Sequence, residues 1–90
     1  MTSREKMLEI LGELFPITGT TEDFDGSEGG IWICAECGYL NASGVPFFDY
    51  YAEERIYELG VLSTLDNMVN KRGWYFGWHD AGTCFCYPDF

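Results

Sequence analysis

Ninety residues, 47% of them hydrophobic and 18% aromatic, are enough for one packed domain and too few for two. Fifteen Asp and Glu against five Lys and Arg leave a formal charge of −10, which excludes nucleic-acid phosphate and anionic lipid as direct partners, because such contacts need cations to displace counterions. The many rings exclude a disordered acidic tail, and no apolar run reaches the roughly 20 residues that cross a bilayer.

Residues 2–15 predict an amphipathic helix. Thr2 and Glu5 fit a capping box, in which each side chain satisfies an orphan backbone N–H. Met7, Leu8, Leu11, Leu14 and Phe15 fall on one stripe, with Glu5, Glu9 and Glu13 beside it. Pro16 ends the helix, since the residue before a proline avoids the α region. Such an N-terminus is no apolar signal core, so the chain is expected in the cytoplasm, with its cysteines mostly reduced.

Residues 18–30, TGTTEDFDGSEGG, are rich in Gly and acids and predict an acidic surface loop anchored by Phe24. IWICA, residues 31–35, is β-branched and aromatic and predicts a strand. Residues 36–41 offer a second short strand, NASGVP a turn, and FFDYYA, residues 47–52, a further strand.

Residues 58–72 predict the second long helix. Leu59, Leu62, Leu65 or Asp66, and Val69 keep its period. Gly60 weakens its start by about 1 kcal/mol relative to Ala and marks either the first turn or a close approach to the sheet. Lys71 and Arg72 suit the negative end of the helix dipole, and Gly73 supplies a left-handed cap. WYFGWHDAGTCFCY, residues 74–87, predicts a hairpin turning at Asp80-Ala81-Gly82, with positive φ expected at Gly82. The expected fold is α+β, a single domain over residues 1–90. Its order is α-β-β-α-β-β, an antiparallel sheet with helices on one face.

Cys34-Ala35-Glu36-Cys37 has the spacing of half a zinc knuckle, and Cys84 and Cys86 could complete four thiolates. Against that, residues i and i+2 of a strand hold their Cβ atoms roughly 6–7 Å apart, too wide for two ligands of one tetrahedral ion without a bulge. The cysteines read first as small buried hydrophobes, so no cofactor is expected; zinc on Cys34, Cys37, Cys84 and Cys86 is the alternative, and a disulfide or redox role a third reading. A Cys84–His79 nucleophile pair lacks a third member. Asp49, Glu53 and Glu54 near rings suit sugar cleavage only in a deep cleft. Asp23, Asp25 and Glu28 lack EF-hand spacing.

GGIW, FFDYYAE and GVLSTLDNMVNKRGWYFGWHDAGT, spanning residues 29–83, resemble in their order short uncharacterised proteins of phages, notably marine ones. The resemblance implies a small viral accessory protein and brings no residue roles. The expected function is non-enzymatic: an acidic, aromatic-bearing face that meets a protein partner of basic character. One version is a phosphate mimic that blocks a nucleic-acid-binding host factor; self-association is another use for such a face. Glu22, Asp23, Asp25 and Glu28, with Asp49, Glu53 and Glu54, are the candidate interaction acids.

Overall fold

The computed structural model describes residues 1–89; the last residue of the expected 1–90 domain lies outside them. It is an α+β domain with a four-stranded antiparallel sheet and a separate two-stranded ribbon. Helix α1 (Arg4–Leu14) is followed by β1 (Thr18–Thr20), a one-turn α2 (Thr21–Phe24) and β2 (Ile31–Cys34). A 3₁₀ turn (Ala35–Cys37) leads through an irregular stretch to β3 (Tyr57–Glu58) and β4 (Val61–Leu62). Helix α3 (Ser63–Lys71) and the hairpin β5 (Trp74–Asp80) and β6 (Thr83–Pro88) complete the chain. The sheet order is β1-β2-β6-β5, so β5 is an edge strand.

The first helix starts two residues later than the sequence suggests. Ser3, not Thr2, is its N-cap, and the Ser3 hydroxyl accepts from the Lys6 N–H. Thr2 is otherwise engaged: its N–H donates to the Arg72 carbonyl at 2.8 Å, and its own carbonyl accepts from Trp74 Nε1 at 2.7 Å. Met7, Leu11 and Phe15 are fully buried, as the stripe predicts, whereas Leu14 of the same stripe is exposed at the end of the helix. Burial of each such side chain stabilises the fold by roughly 1.5–3 kcal/mol.

Residues 18–30 are more ordered than an acidic loop. Thr18–Thr20 pair with β2 as an edge strand, and Thr20 caps α2 by accepting from the Asp23 N–H. Thr21 is the organising residue. Its side chain is buried, and its hydroxyl donates to the Ser27 carbonyl at 2.7 Å and accepts from the Gly30 N–H at 3.0 Å. A polar hydroxyl so placed is satisfied twice, which closes the loop on itself.

The sheet has two unlike faces. Ile31, Ile33, Cys84, Cys86 and Trp74 point into the core with residues of α1 and α3. On the other face Phe24, from α2, packs against Trp32 at 5.3 Å, Phe85 at 5.5 Å and His79 at 5.3 Å. The two long helices therefore share one face, as expected, and the short α2 covers part of the other.

The middle of the chain departs most from the sequence reading. Residues 36–41 form no second strand; the 3₁₀ turn ends in a left-handed Gly38, and Leu40 makes a single bridge to Pro46. NASGVP does turn: the Asn41 side chain accepts from the N–H groups of Ser43 and Val45. Residues 47–52 are not a regular strand either. Phe48 bridges Val61, with Asp49 N–H donating to the Gly60 carbonyl and Leu62 N–H to the Phe47 carbonyl. Helix α3 begins at Ser63 and not Glu58, because residues 57–62 fold as a tight ribbon with Tyr57 opposite Leu62 and Glu58 opposite Val61.

The two residues at the ribbon's tip, Leu59 and Gly60, have φ of 49° and 81°. A two-residue hairpin loop with both φ positive suits Asn-Gly; a leucine there is strained. Gly60 has no alternative, since a Cβ would sit 2.9 Å from the Asp49 carbonyl oxygen. The close approach is thus to the Asp49–Tyr50 backbone and the Trp78 ring and not to the sheet backbone, and the helical reading is ruled out. Gly73 is left-handed at the end of α3, as expected. Gly82 is not, so the hairpin turn needs no positive φ there; the turn is held by the Asp80 carboxylate accepting from the Gly82 N–H.

Two substitutions separate these effects. Leu59→Asn should stabilise the domain by about 0.5–1 kcal/mol, and Gly60→Ala should destabilise it by at least ~1 kcal/mol. Urea denaturation checks both, and a destabilised Leu59→Asn would contradict the strained turn.

Candidate functional site

A partly enclosed hollow lies beside the edge strand β5. It has a volume of about 310 Å³, with Glu58 and Leu59 from the ribbon, Asp66 and Asn70 from α3, and Tyr75 and Trp78 from β5 among its walls. Each wall has a local cause. Asp66 and Asn70 are one helical turn apart, so they share a face, and Asn70 Nδ2 donates to Asp66 Oδ2 at 3.2 Å. Trp78 Nε1 donates to the Leu59 carbonyl at 2.7 Å, which ties the strained tip to the sheet.

Burial pushes the Asp66 carboxyl above its ordinary value of 3.8; the Asn70 amide pulls the other way, and the negative Glu58 adds to the rise. The site thus holds two acids close enough to feel each other, between aromatic walls.

A second hollow of about 380 Å³ shares Leu59 and Trp78 with the first and adds Tyr50, Ala52 and Gly60. A third, open depression of about 520 Å³ shares Ala52 with the second and carries Asp49, Glu53 and Glu54. The three form one continuous surface. Along it Tyr51 meets Tyr50 edge-on at 5.0 Å, and Tyr50 meets Trp78 the same way at 5.0 Å. Leu59 is 85% exposed and Tyr51 79%, an unusual display for a leucine and a tyrosine ring. A larger hollow of about 560 Å³ along α3 is bordered by Lys71 and Arg72 and offers neither ring nor acid.

The seven acids singled out from the sequence separate into two groups. Asp49, Glu53 and Glu54 belong to the continuous surface. Glu22, Asp23, Asp25 and Glu28 lie on α2 and the loop after it. Of these, Glu22 accepts from the Gly29 N–H and is paired with Arg4 at 2.7 Å. Hydrogen bonds from the Gly29 backbone, then from Arg4, hold its carboxyl below the ordinary value. Asp25 is held low in the same sense by Ser27. Both serve local structure, while Asp23 and Glu28 stay exposed.

The structure does not bring the four thiols together. Cys34 and Cys37 form a disulfide, contrary to the expectation of mostly reduced cysteines. Cys84 and Cys86 are free and buried in the core. Burial drives both thiols upward, Cys86 to about 12, so neither is a thiolate near neutral pH. Among the described residues no group of three or more His, Cys, Asp and Glu is placed to share a metal ion. His79 stacks on Phe85 at 4.8 Å on the sheet face opposite Cys84, so that thiol has no base.

Glu58, Leu59, Asp66 and Asn70 were not singled out as site residues in the sequence. One signal existed. Asp66 competes with Leu65 for the inward period of the second helix, and an acid on an apolar stripe is either misplaced or wanted. No protein-family model matches this chain, and comparisons with curated proteins and with solved structures find no match.

Two outcomes follow for measurement. A carboxyl raised on folding adds stability below its unfolded value and loses it as pH rises through the folded one. Asp66→Asn should therefore raise the melting temperature at pH 7, and the gain should vanish below pH about 3.5. A chelator should leave the melting curve unchanged; a fall in melting temperature would restore the zinc reading.

Proposed function

We propose that this domain is a non-enzymatic interaction module that receives a basic protein partner on the surface running from Asp66 to Glu54. The observation that carries the reading is the run of exposed Leu59, Tyr50 and Tyr51 beside Asp49, Glu53, Glu54, Glu58 and Asp66. Rings and a leucine supply apolar contact area, and aromatic anchors dominate the energetics of such interfaces. The acids add attraction at long range and set the sign of the partner. The net charge of −10 extends the field. A second copy of the chain fits less well, because it would bring like charge to like charge.

Binding suits this surface better than catalysis. Asp49, Glu53 and Glu54 stand on an open rim, where solvent screens them, and among the described residues no nucleophile, base and oxyanion donors converge around the half-buried Asp66. If the partner is a nucleic-acid-binding protein, the carboxylates occupy its cation sites as phosphates would. The resemblance to short phage proteins and the expectation of a cytoplasmic location suit that version. No helix among the described residues is long and apolar enough to cross a membrane.

Titration with a short Lys- and Arg-rich peptide, followed by backbone amide shifts, tests the surface. The shifts should concentrate in residues 49–60 and 75–78. The triple variant Glu53→Lys, Glu54→Lys and Glu58→Lys should weaken binding at least about tenfold and flatten its salt dependence. Asp23→Lys with Glu28→Lys should change it far less. Equal losses from both variants would reduce the proposal to a general charge effect, and unchanged binding at low salt would end it.

A further inference from the structure

The Cys34–Cys37 disulfide has no part in the binding surface. Three observations bear on what it does. First, it is not needed to hold the fold. The ring it closes spans a sequence separation of three, and short rings restrict the unfolded chain least. Both flanks are anchored without it. On one side the N–H groups of Ala35 and Glu36 donate to the Gly82 carbonyl at 2.9 and 3.3 Å. On the other, the Tyr39 hydroxyl accepts from the Ile17 N–H at 2.9 Å, and its ring packs on Phe15 at 5.2 Å.

Second, its two cysteines are unequally exposed. Cys34 ends β2 and is half-buried, while Cys37 is exposed. The next residue, Gly38, has open space where a side chain would project. Third, the remaining thiols, Cys84 and Cys86, are sealed in the core and cannot compete.

We propose that Cys34–Cys37 is a reversible thiol–disulfide exchange site, reduced by glutathione-type monothiols or by dithiol proteins without unfolding of the domain. The incoming thiolate attacks Cys37 Sγ. A sulfur–sulfur bond forms between the two, and the Cys34–Cys37 bond breaks, leaving its electron pair on Cys34, which takes a proton from water. A second thiolate then attacks the incoming sulfur of the mixed disulfide and releases Cys37. In sum, the protein disulfide and two thiols give two protein thiols and one external disulfide.

The site is a target of such reactions and not a catalyst of them. A catalytic dithiol needs a stabilised thiolate beside a cation or free backbone N–H groups. Here the N–H groups of Ala35 and Glu36 are already committed to Gly82, and of these two intervening residues Glu36 is an acid. Exchange should therefore depend on the reagent's nucleophilicity.

Native protein equilibrated in a series of reduced-to-oxidised glutathione ratios, then alkylated and weighed, tests the proposal. Two alkyl groups per chain should appear across the series, both on Cys34 and Cys37, and reoxidation should remove the reactivity. Far-ultraviolet dichroism should stay unchanged throughout. A disulfide that resists every ratio until denaturant is added would overturn the proposal, as would loss of folded signal on reduction. Single variants test the direction of attack. With oxidised glutathione, Cys34→Ser, which leaves Cys37, should form the mixed disulfide at least about tenfold faster than Cys37→Ser. Equal or reversed rates would refute Cys37 as the attacked sulfur.

Discussion

Phe15 is the ring on which the rest of the architecture depends. It is fully buried and touches Tyr39, Phe47 and Phe48, each with centroids 5.2 Å away. Those contacts fasten the irregular middle of the chain to the end of α1. Phe48 passes the connection on to Phe76 and Trp78, both at 5.9 Å, and Trp78 to Tyr50 at 5.0 Å. Beyond its buried area, each such pair contributes about 0.5–1.5 kcal/mol. A chain of rings therefore runs from the first helix to the proposed binding surface. Residues 39–56 have almost no regular structure of their own, so this packing is what gives them a shape.

How far the sequence could be read follows from how local each cause is. Helix α1 and the β5–β6 hairpin were legible because their signals lie within a few residues: a 3.6-residue stripe, a two-residue alternation, a proline stop. Gly73 was legible for the same reason. Residues 57–62 were not. Leu59 and Leu62 match a helical period, yet their spacing is fortuitous, since Leu59 is mostly exposed and left-handed. What forces the ribbon is the Asp49 backbone pressed against Gly60, a contact made across the fold. Order in residues 18–30 likewise depends on a single buried hydroxyl at Thr21 and on a sheet partner remote in sequence. The ring-bearing strand expected at 47–52 was half right: its residues do pair with the ribbon, but through one bridge and scattered hydrogen bonds. The binding surface inherited these errors. Its acids at 49, 53 and 54 were visible as an acidic run beside rings, whereas Glu58 and Asp66 became neighbours only once the ribbon folded.

The negative charge also divides by role. In the 22–25 stretch, carboxylates substitute for missing backbone partners: Glu22 serves Gly29 and Asp25 serves Ser27. Their depressed values record favourable use, and their contribution to stability is present above the ordinary carboxyl range and lost as pH falls through it. Asp66 is the opposite case, an acid whose ionisation the fold resists. One composition thus contains acids that build structure and at least one that structure tolerates at a cost. Counting charges could not separate them; hydrogen bonds and burial do.

That cost coincides with another. Leu59 adopts a conformation a leucine disfavours and leaves its side chain in water, within the same hollow whose wall holds the reluctant Asp66. Either feature alone could be an accident of a small, aromatic-rich fold. Two departures from local preference meeting at one enclosed hollow are harder to dismiss, because sequences tend to agree with their folds except where a site demands otherwise. Elsewhere among the described residues no other non-glycine residue is left-handed, two turns are held by Asn41 and Asp80 side chains, and the first helix has a serine cap. A partner that covered Leu59 and presented a cation to Asp66 would take the leucine out of water and favour the ionised acid, while the left-handed backbone at Leu59 would stay as it is. On the reading proposed above, the exposed tip and the half-buried acid act as one feature, which a basic and apolar partner would complete.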